Sequence, residues 1–207
     1  MGFDCSPAAA LKCIGIRKMS LPFDWVQSTP ELIIACIKDN FKQFHQNIRL
    51  KNGGTRVVDT YGFQYPHDYP TNGGENDGSE KELVDNYGEY TESVLAKYAR
   101  RIERLRGLLT DNKPIIILMR SSYKSAYNMK RFIDQKYNKD VIIILATKEP
   151  PLPASDKTPY IICCDPEYQS KWNDRTVWET AIAHGKRIYE INRNATAVNK
   201  YRNWKMF

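Results

Sequence analysis

Cys5 and the residues that follow it carry the clearest chemical signal in the sequence. Ser6 is a favourable N-cap residue, Pro7 suits the first turn of a helix, and three alanines continue it. The pattern predicts a helix that begins at Ser6, with Cys5 at its N-terminal mouth. The dipole and free N–H groups of such a helix favour negative charge. They would either make Cys5 a nucleophilic thiolate or hold a phosphate beside it. A buried structural cysteine is the third interpretation.

His67 and Asp68 form a second candidate pair. They precede a glycine-rich polar segment over 71–79, which we predict to be a flexible loop. A histidine in this setting can act as a general base near neutral pH, with a carboxylate to orient it. Adjacent side chains of an extended segment point to opposite sides, so Asp68 need not contact His67. The alternative partners are Asp4, Asp24 and Asp59. A surface histidine without a role is the competing interpretation.

A third candidate site follows an apolar run over 115–119. Arg120, Ser121 and Ser122 come directly after it. Ligands of parallel α/β sheets collect at the carboxyl ends of strands, and an arginine beside two hydroxyls suits an anion. The alternative is that Arg120 pairs with an acidic residue and that Ser121 caps the next helix. The basic residues predicted to assist in binding are Arg101 and Arg104, although a solvated basic helix face also explains them.

Positioning these residues requires an α/β fold. Continuous β-branched runs over 114–119, 141–146 and 160–164, with a helix at about 124–137, are typical of a parallel sheet covered on both faces. We expect a Rossmann-like parallel sheet flanked by helices, with right-handed crossovers, in a single domain over 1–207. The other predicted elements are helices over 6–14, from Pro30, over about 80–109 and over 175–187, short strands over 47–51 and 55–60, and a basic aromatic tail over 192–207.

Composition narrows the function classes. The 207 residues carry a net charge of +7, which suits an anionic substrate such as a nucleotide diphosphate. No nucleic-acid-binding motif is present, so nucleic acid is not favoured as a partner. The five cysteines form no CxxC pair, which predicts reduced thiols, a cytoplasmic location and no metal site. The apolar runs are too short to span a membrane, and no cofactor motif appears.

Five segments occur in order along the first 120 residues: GFDCSPAAALKCIGIR, SLPFDW, YPHDY, YARRIERL and IIILMR. This combination resembles the uncharacterised family labelled "putative papain-like cysteine peptidase". The resemblance implies that Cys5 is a nucleophile, that His67 is its base and that Asp68 is a third member. It also implies a strand before Gly2, a papain-like fold with a β-barrel-like lobe, and a setting among glycosyltransferase and methyltransferase domains in glycan assembly.

Together these observations favour a glycosyltransferase-like enzyme that uses a nucleotide-activated sugar and a glycan acceptor. The helix mouth at Ser6 and the strand end at Arg120 would hold the diphosphate, with cations instead of a metal stabilising the leaving group. His67 or Asp68 would deprotonate the acceptor. One cleft lined by these residues and Cys5 is therefore predicted. The alternatives are a cysteine hydrolase that uses Cys5 and His67, and a non-catalytic interaction module. The oligomeric state is left open.

Overall fold

The structure is a computed structural model that describes residues 4–147, 161–164 and 175–202. In chain order its elements are α1 (Ser6–Cys13), α2 (Pro30–Lys38), β1 (Arg49–Lys51), β2 (Arg56–Val58), a 3₁₀ turn (Tyr87–Tyr90), α3 (Thr91–Thr110), β3 (Ile115–Arg120), α4 (Tyr123–Tyr137), β4 (Val141–Ala146), β5 (Ile161–Cys164) and α5 (Arg175–Arg202). No helix in these ranges is both long enough and apolar enough to cross a membrane.

A parallel sheet with the strand order β3-β4-β5 forms the centre of the back half. Ile115 of β3 pairs with Val141 of β4, and Ile143 of β4 pairs with Ile161 of β5. The prediction that the three apolar runs are neighbouring parallel strands is confirmed. The described strands do not form the antiparallel barrel that the papain-like resemblance implies. The chain is thus a mixed α/β protein, but three strands do not confirm the predicted Rossmann-like sheet.

Each face of the sheet packs against its own group of helices. Ile117 and Met119 of β3 belong to a large core that also takes in buried residues of α2, α3 and α4. Leu118, the residue between them, belongs to a smaller core with Ala10 of α1 and Trp178 of α5. This alternation follows from the period of two residues along a strand. It explains why both faces of the strands are apolar.

Two helices have a hydroxyl side chain as their N-cap. The Thr29 hydroxyl accepts a hydrogen bond from the backbone nitrogen of Leu32 at 3.3 Å and caps α2. The Ser122 hydroxyl accepts one from the backbone nitrogen of Ser125 at 3.1 Å and caps α4. The prediction that Ser121 caps this helix is therefore wrong by one residue. Each cap satisfies an N–H group that the first turn leaves without a partner.

The long helix predicted over 80–109 begins only at Thr91. Before it, the backbone nitrogen of Leu83 donates to the carbonyl of Gly54 at 3.1 Å, and Gly88 lies in the 3₁₀ turn. A backbone group that is paired with a remote segment is not available for a helix, and this pairing is invisible to a local pattern. At the other end of the chain, α5 continues to Arg202, beyond the predicted end at residue 187. The predicted tail over 192–207 thus starts inside α5, and its side chains lie outside the described residues.

The glycine-rich segment over 71–79 is tied to the hairpin of β1 and β2. Arg56 is buried and donates to the carbonyl oxygens of Gly78 at 2.9 Å and Ser79 at 2.8 Å. The backbone nitrogen of Thr71 donates to the carbonyl of Gly74 at 2.8 Å. These contacts position the segment beside His67. Its flexibility stays a prediction.

Candidate functional site

Cys5 lies at the mouth of α1, as predicted, but it occupies the N-cap position that the sequence analysis assigned to Ser6. Its side chain makes no capping hydrogen bond and is half-buried. Burial raises the pKa of the thiol, and the neighbouring Asp4 carboxylate raises it further. This direction is opposite to the effect of a helix dipole alone. The thiol is therefore in its neutral form in this conformation and needs a base before it can act as a nucleophile.

Asp4 joins Cys5 to the end of β3. One carboxylate oxygen accepts hydrogen bonds from the backbone nitrogen of Ser6 at 2.9 Å and from the Ser6 hydroxyl. The other lies 2.5 Å from Nη1 of Arg120. The structure thus brings Asp4, Cys5, Ser6 and Arg120 together, and it confirms the alternative in which Arg120 pairs with an acidic residue. A carboxylate of the protein itself occupies the anion position at the mouth of α1.

The two serines after β3 have structural roles. Ser121 is buried, and its backbone nitrogen continues the ladder by donating to the carbonyl of Ala146 at 3.3 Å. Its hydroxyl has no hydrogen-bond partner in the part of the chain that the structure describes. The hydroxyl of Ser122 caps α4 and lies 3.0 Å from that of Ser125. Their predicted role in anion binding stays a prediction.

His67 is held by an aromatic ring and a glycine. Its ring stands edge-on to that of Trp25, with the ring centres 5.6 Å apart. Gly78 covers it so closely that a Cβ at that position would clash with Cε1 of His67 and lie 3.1 Å from Nδ1. Among the described residues, no hydrogen bond joins His67 to Cys5. The predicted dyad is therefore not formed in this conformation, and the predicted shared cleft stays a prediction.

Asp68 points away from His67 and into the protein. Its side chain is 2% exposed, forms an ion pair with Lys97 and accepts a hydrogen bond from the Tyr98 hydroxyl at 2.7 Å. The guanidinium of Arg101 lies 5.0 Å from the centre of the Tyr98 ring. In this conformation the Asp68 carboxylate contacts α3, and no described contact joins it to His67. Arg101 contacts a residue of its own helix. The predicted substrate contact of Arg101 stays a prediction.

Asp24 and Arg104 contact the turn that follows α1. Asp24 forms an ion pair with Arg17 at 3.1 Å. Arg104 is exposed and donates to the backbone carbonyl of Ser20 at 3.3 Å. The structure thus gives both residues partners within the turn over 17–25, and no described contact brings them to Cys5.

A buried network around His45 is the feature that sequence reasoning missed. The φ of 57° at His45 places this residue in a left-handed turn. Its Nε2 lies 2.7 Å from the hydroxyl of Tyr69, and its backbone nitrogen donates to Asp59 at 2.9 Å. Burial lowers the pKa of His45 to about 4. The aromatic residues at alternate positions 61, 63 and 65 were the one local sign of such a core.

Within the described ranges, no group of three or more histidine, cysteine, aspartate or glutamate side chains could hold a metal ion. Among the described residues, Cys5, Cys13 and Cys36 are in no disulfide. The structure places the Cys5 thiol at a helix mouth, next to the ion pair of Asp4 and Arg120. A thiol can act as a nucleophile once it has lost its proton.

Comparisons with known proteins agree with the resemblance seen in the sequence. No solved structure matches the chain. An uncharacterised protein of Acanthamoeba polyphaga mimivirus is 28% identical over 144 aligned residues, which cover 57% of this chain and 58% of the viral protein. The chain thus spans less than two thirds of that relative. A family model described as "Putative papain-like cysteine peptidase" matches residues 1–141. Neither match supports sugar transfer. The chain therefore belongs to the family described as "Putative papain-like cysteine peptidase".

Proposed function

We propose that this protein is a cysteine-dependent hydrolase and that the thiol of Cys5 is its nucleophile. The observation that carries the proposal is the position of Cys5, half-buried at the mouth of α1 beside Arg120. The family description supports the same reaction class. The aligned N–H groups of the helix mouth attract negative charge and favour the thiolate, which opposes the effects of burial and of Asp4 on the pKa of Cys5.

The reaction has two steps. The sulfur of Cys5 attacks the carbonyl carbon of an amide or ester, a C–S bond forms, and the bond to the leaving group breaks as that group takes up a proton. Water then attacks the thioester, releases the acid and returns the proton to sulfur. The guanidinium of Arg120 offsets the negative charge that develops on the carbonyl oxygen. The step requires a base that accepts the thiol proton.

His67 is the base in this proposal. It lacks a hydrogen bond to Cys5 in the described conformation, so the proposal requires the two to approach when substrate binds. Catalytic hydrogen bonds often tighten only in the substrate complex. The segment over 71–79, whose Gly78 lies against the His67 ring, has to move for this approach.

The test compares cysteine variants. Cys5→Ser should lower turnover of fluorogenic peptides and acyl esters by about 10³-fold or more, because the nucleophile is lost. Cys13→Ser is the matched control, since Cys13 is an exposed cysteine at the other end of α1. His67→Ala should reduce kcat more than it raises KM. Turnover that persists in Cys5→Ser refutes the proposal that Cys5 is the nucleophile. Absence of turnover by the native protein also refutes it and favours a non-catalytic interaction module.

A second candidate is transfer from a nucleotide-activated sugar, with the diphosphate held by Arg120 and the first turn of α1. The observation that favours it is an arginine beside a helix mouth at the carboxyl edge of a parallel sheet. The Asp4 carboxylate already occupies both contacts, so a diphosphate has to displace it. A thermal-shift screen with nucleotide sugars tests this candidate, since a bound ligand raises Tm. Asp4→Asn should then strengthen the shift, and Arg120→Ala should abolish it.

A further inference from the structure

A slot of about 300 Å³ lies between α1 and α3, on the side of β3 where the described part of the chain has no further strand. Pro7, Ala8 and Leu11 of α1 form one wall, and Leu105 and Leu108 of α3 form the other. The helix α1 packs on one face of the sheet, and α3 contributes to the core on the opposite face. A cleft bounded by both helices therefore lies beside β3, beyond the edge of the sheet and in the same layer as the strands.

The backbone of β3 runs along this slot. Ile115 donates to the carbonyl of Asp140 at 3.1 Å, and Ser121 donates to that of Ala146 at 3.3 Å, so the odd-numbered residues of the strand turn their N–H groups toward β4. Backbone groups alternate sides along a strand, and Ile116 therefore turns its N–H and C=O toward the slot. An extended chain placed here can pair with β3 and send alternate side chains toward α1 and α3.

The rim of the slot is positively charged. Arg104 is exposed and contacts the carbonyl of Ser20, next to the lining residue Leu21. The acidic residue that lines the slot is Asp24, which is already neutralised by Arg17. The rim is therefore complementary to carboxylates of a bound molecule.

We propose that this slot binds an extended peptide that lies along β3, with apolar side chains between α1 and α3 and acidic residues flanking them. The inference rests on the proposed function in one respect: Pro7 of the wall is two residues from Cys5, so a peptide in the slot ends beside the nucleophile and is the substrate. The apolar walls and the cationic rim then determine which peptides are cleaved.

Binding is measured by fluorescence anisotropy in the Cys5→Ser variant, which cannot complete the reaction. The probe is an eight-residue peptide with alternating leucines at its centre and glutamates at both ends. Arg104→Glu should weaken binding about three- to tenfold, whereas Arg131→Glu, an exposed cation on α4, is the matched control and should leave it unchanged. Leu108→Arg should weaken binding by about tenfold or more, because it fills the slot with a charge.

A second measurement leaves the protein unaltered. N-methylation of the central amide nitrogens of the peptide removes the donors that pair with β3 and should weaken binding about tenfold, while the side chains stay the same. Equal affinity for the methylated peptide overturns the proposal. So does a dimer of the Cys5→Ser variant that Leu108→Arg converts to monomer, because a second copy then fills the slot. The proposal is also overturned if no peptide binds. If Leu108→Arg then lowers the stability of the protein, the chain covers the slot itself.

The outcomes separate the two proposals. Peptide binding that responds to Arg104→Glu, without any turnover by the native protein, contradicts the hydrolase and leaves the docking site in place. Turnover that depends on Cys5 but ignores both slot variants contradicts the docking site and leaves the hydrolase.

Discussion

Stability should fall in mild acid because of one buried histidine. His45 is 2% exposed, and burial lowers its pKa to about 4 in the folded chain. The pKa of an unfolded histidine is about 6.5, so the unfolded chain binds more protons between these values. Stability is therefore complete above about pH 6.5 and is lost as the pH falls toward 4. The whole difference corresponds to about 3 kcal/mol, of which about 2.5 kcal/mol is lost between about pH 7.5 and pH 4.5.

The charges around His45 do not cancel this effect. Asp68 favours the protonated ring and Lys97 opposes it, but burial is the largest cause of the lowered pKa. Burial also raises the pKa of Asp59, and this group acts with the opposite sign, since its stabilisation is lost as the pH rises. A comparison of two proteins that share Asp59 is therefore needed to isolate the histidine.

The assay is urea unfolding at several pH values for the native protein and for His45→Gln. The variant is expected to be less stable at neutral pH, because the stacking with Tyr69 and the edge-on contact with Tyr65 are lost. Its free energy of unfolding should nevertheless fall by about 2.5 kcal/mol less than that of the native protein between about pH 7.5 and pH 4.5. His184→Gln, at an exposed position of α5, is the matched control and should retain the native pH dependence. Parallel pH profiles for the native protein and His45→Gln would refute the reasoning.

Three further substitutions test particular contacts. Gly78→Ala should destabilise the fold by about 1–3 kcal/mol in urea unfolding, because Gly78 has a φ of 88° and a Cβ there meets the His67 ring. Asp4→Asn should make Cys5 react several-fold faster with iodoacetamide near neutral pH, because the Asp4 charge raises the pKa of the thiol. Thr29→Ala should cost about 1 kcal/mol of stability, because it removes the N-cap of α2.

Each of these predictions has a control in the chain. Gly88→Ala places a Cβ in open space and should cost less than Gly78→Ala. The exposed thiol of Cys13 reports the intrinsic alkylation rate in the same sample, and an equal acceleration at both cysteines contradicts the role of Asp4. Thr29→Ser keeps the capping oxygen, so a loss as large as that of the alanine variant speaks against the cap.

The sequence by itself determined the elements whose signals are local. The apolar runs over β3 and β4 and the capping residue Thr29 identify strands and a helix start, since each signal depends on residues a few positions apart. Local signals also placed Cys5 at a helix mouth, although Ser6 is the first residue of α1 and not its N-cap. Side-chain periodicity and N-cap chemistry are properties of a short segment and need no knowledge of the fold.

Only the tertiary structure decided which charges meet. Asp4 and Arg120 are 116 residues apart, and their ion pair sets the charge beside Cys5. The buried surroundings of His45 and the late start of α3 at Thr91 likewise depend on partners from distant segments. Burial and Coulomb interactions act through space, so no pattern along the chain reports them. The tertiary contacts therefore decide whether the thiol is neutral, which the helix mouth alone does not.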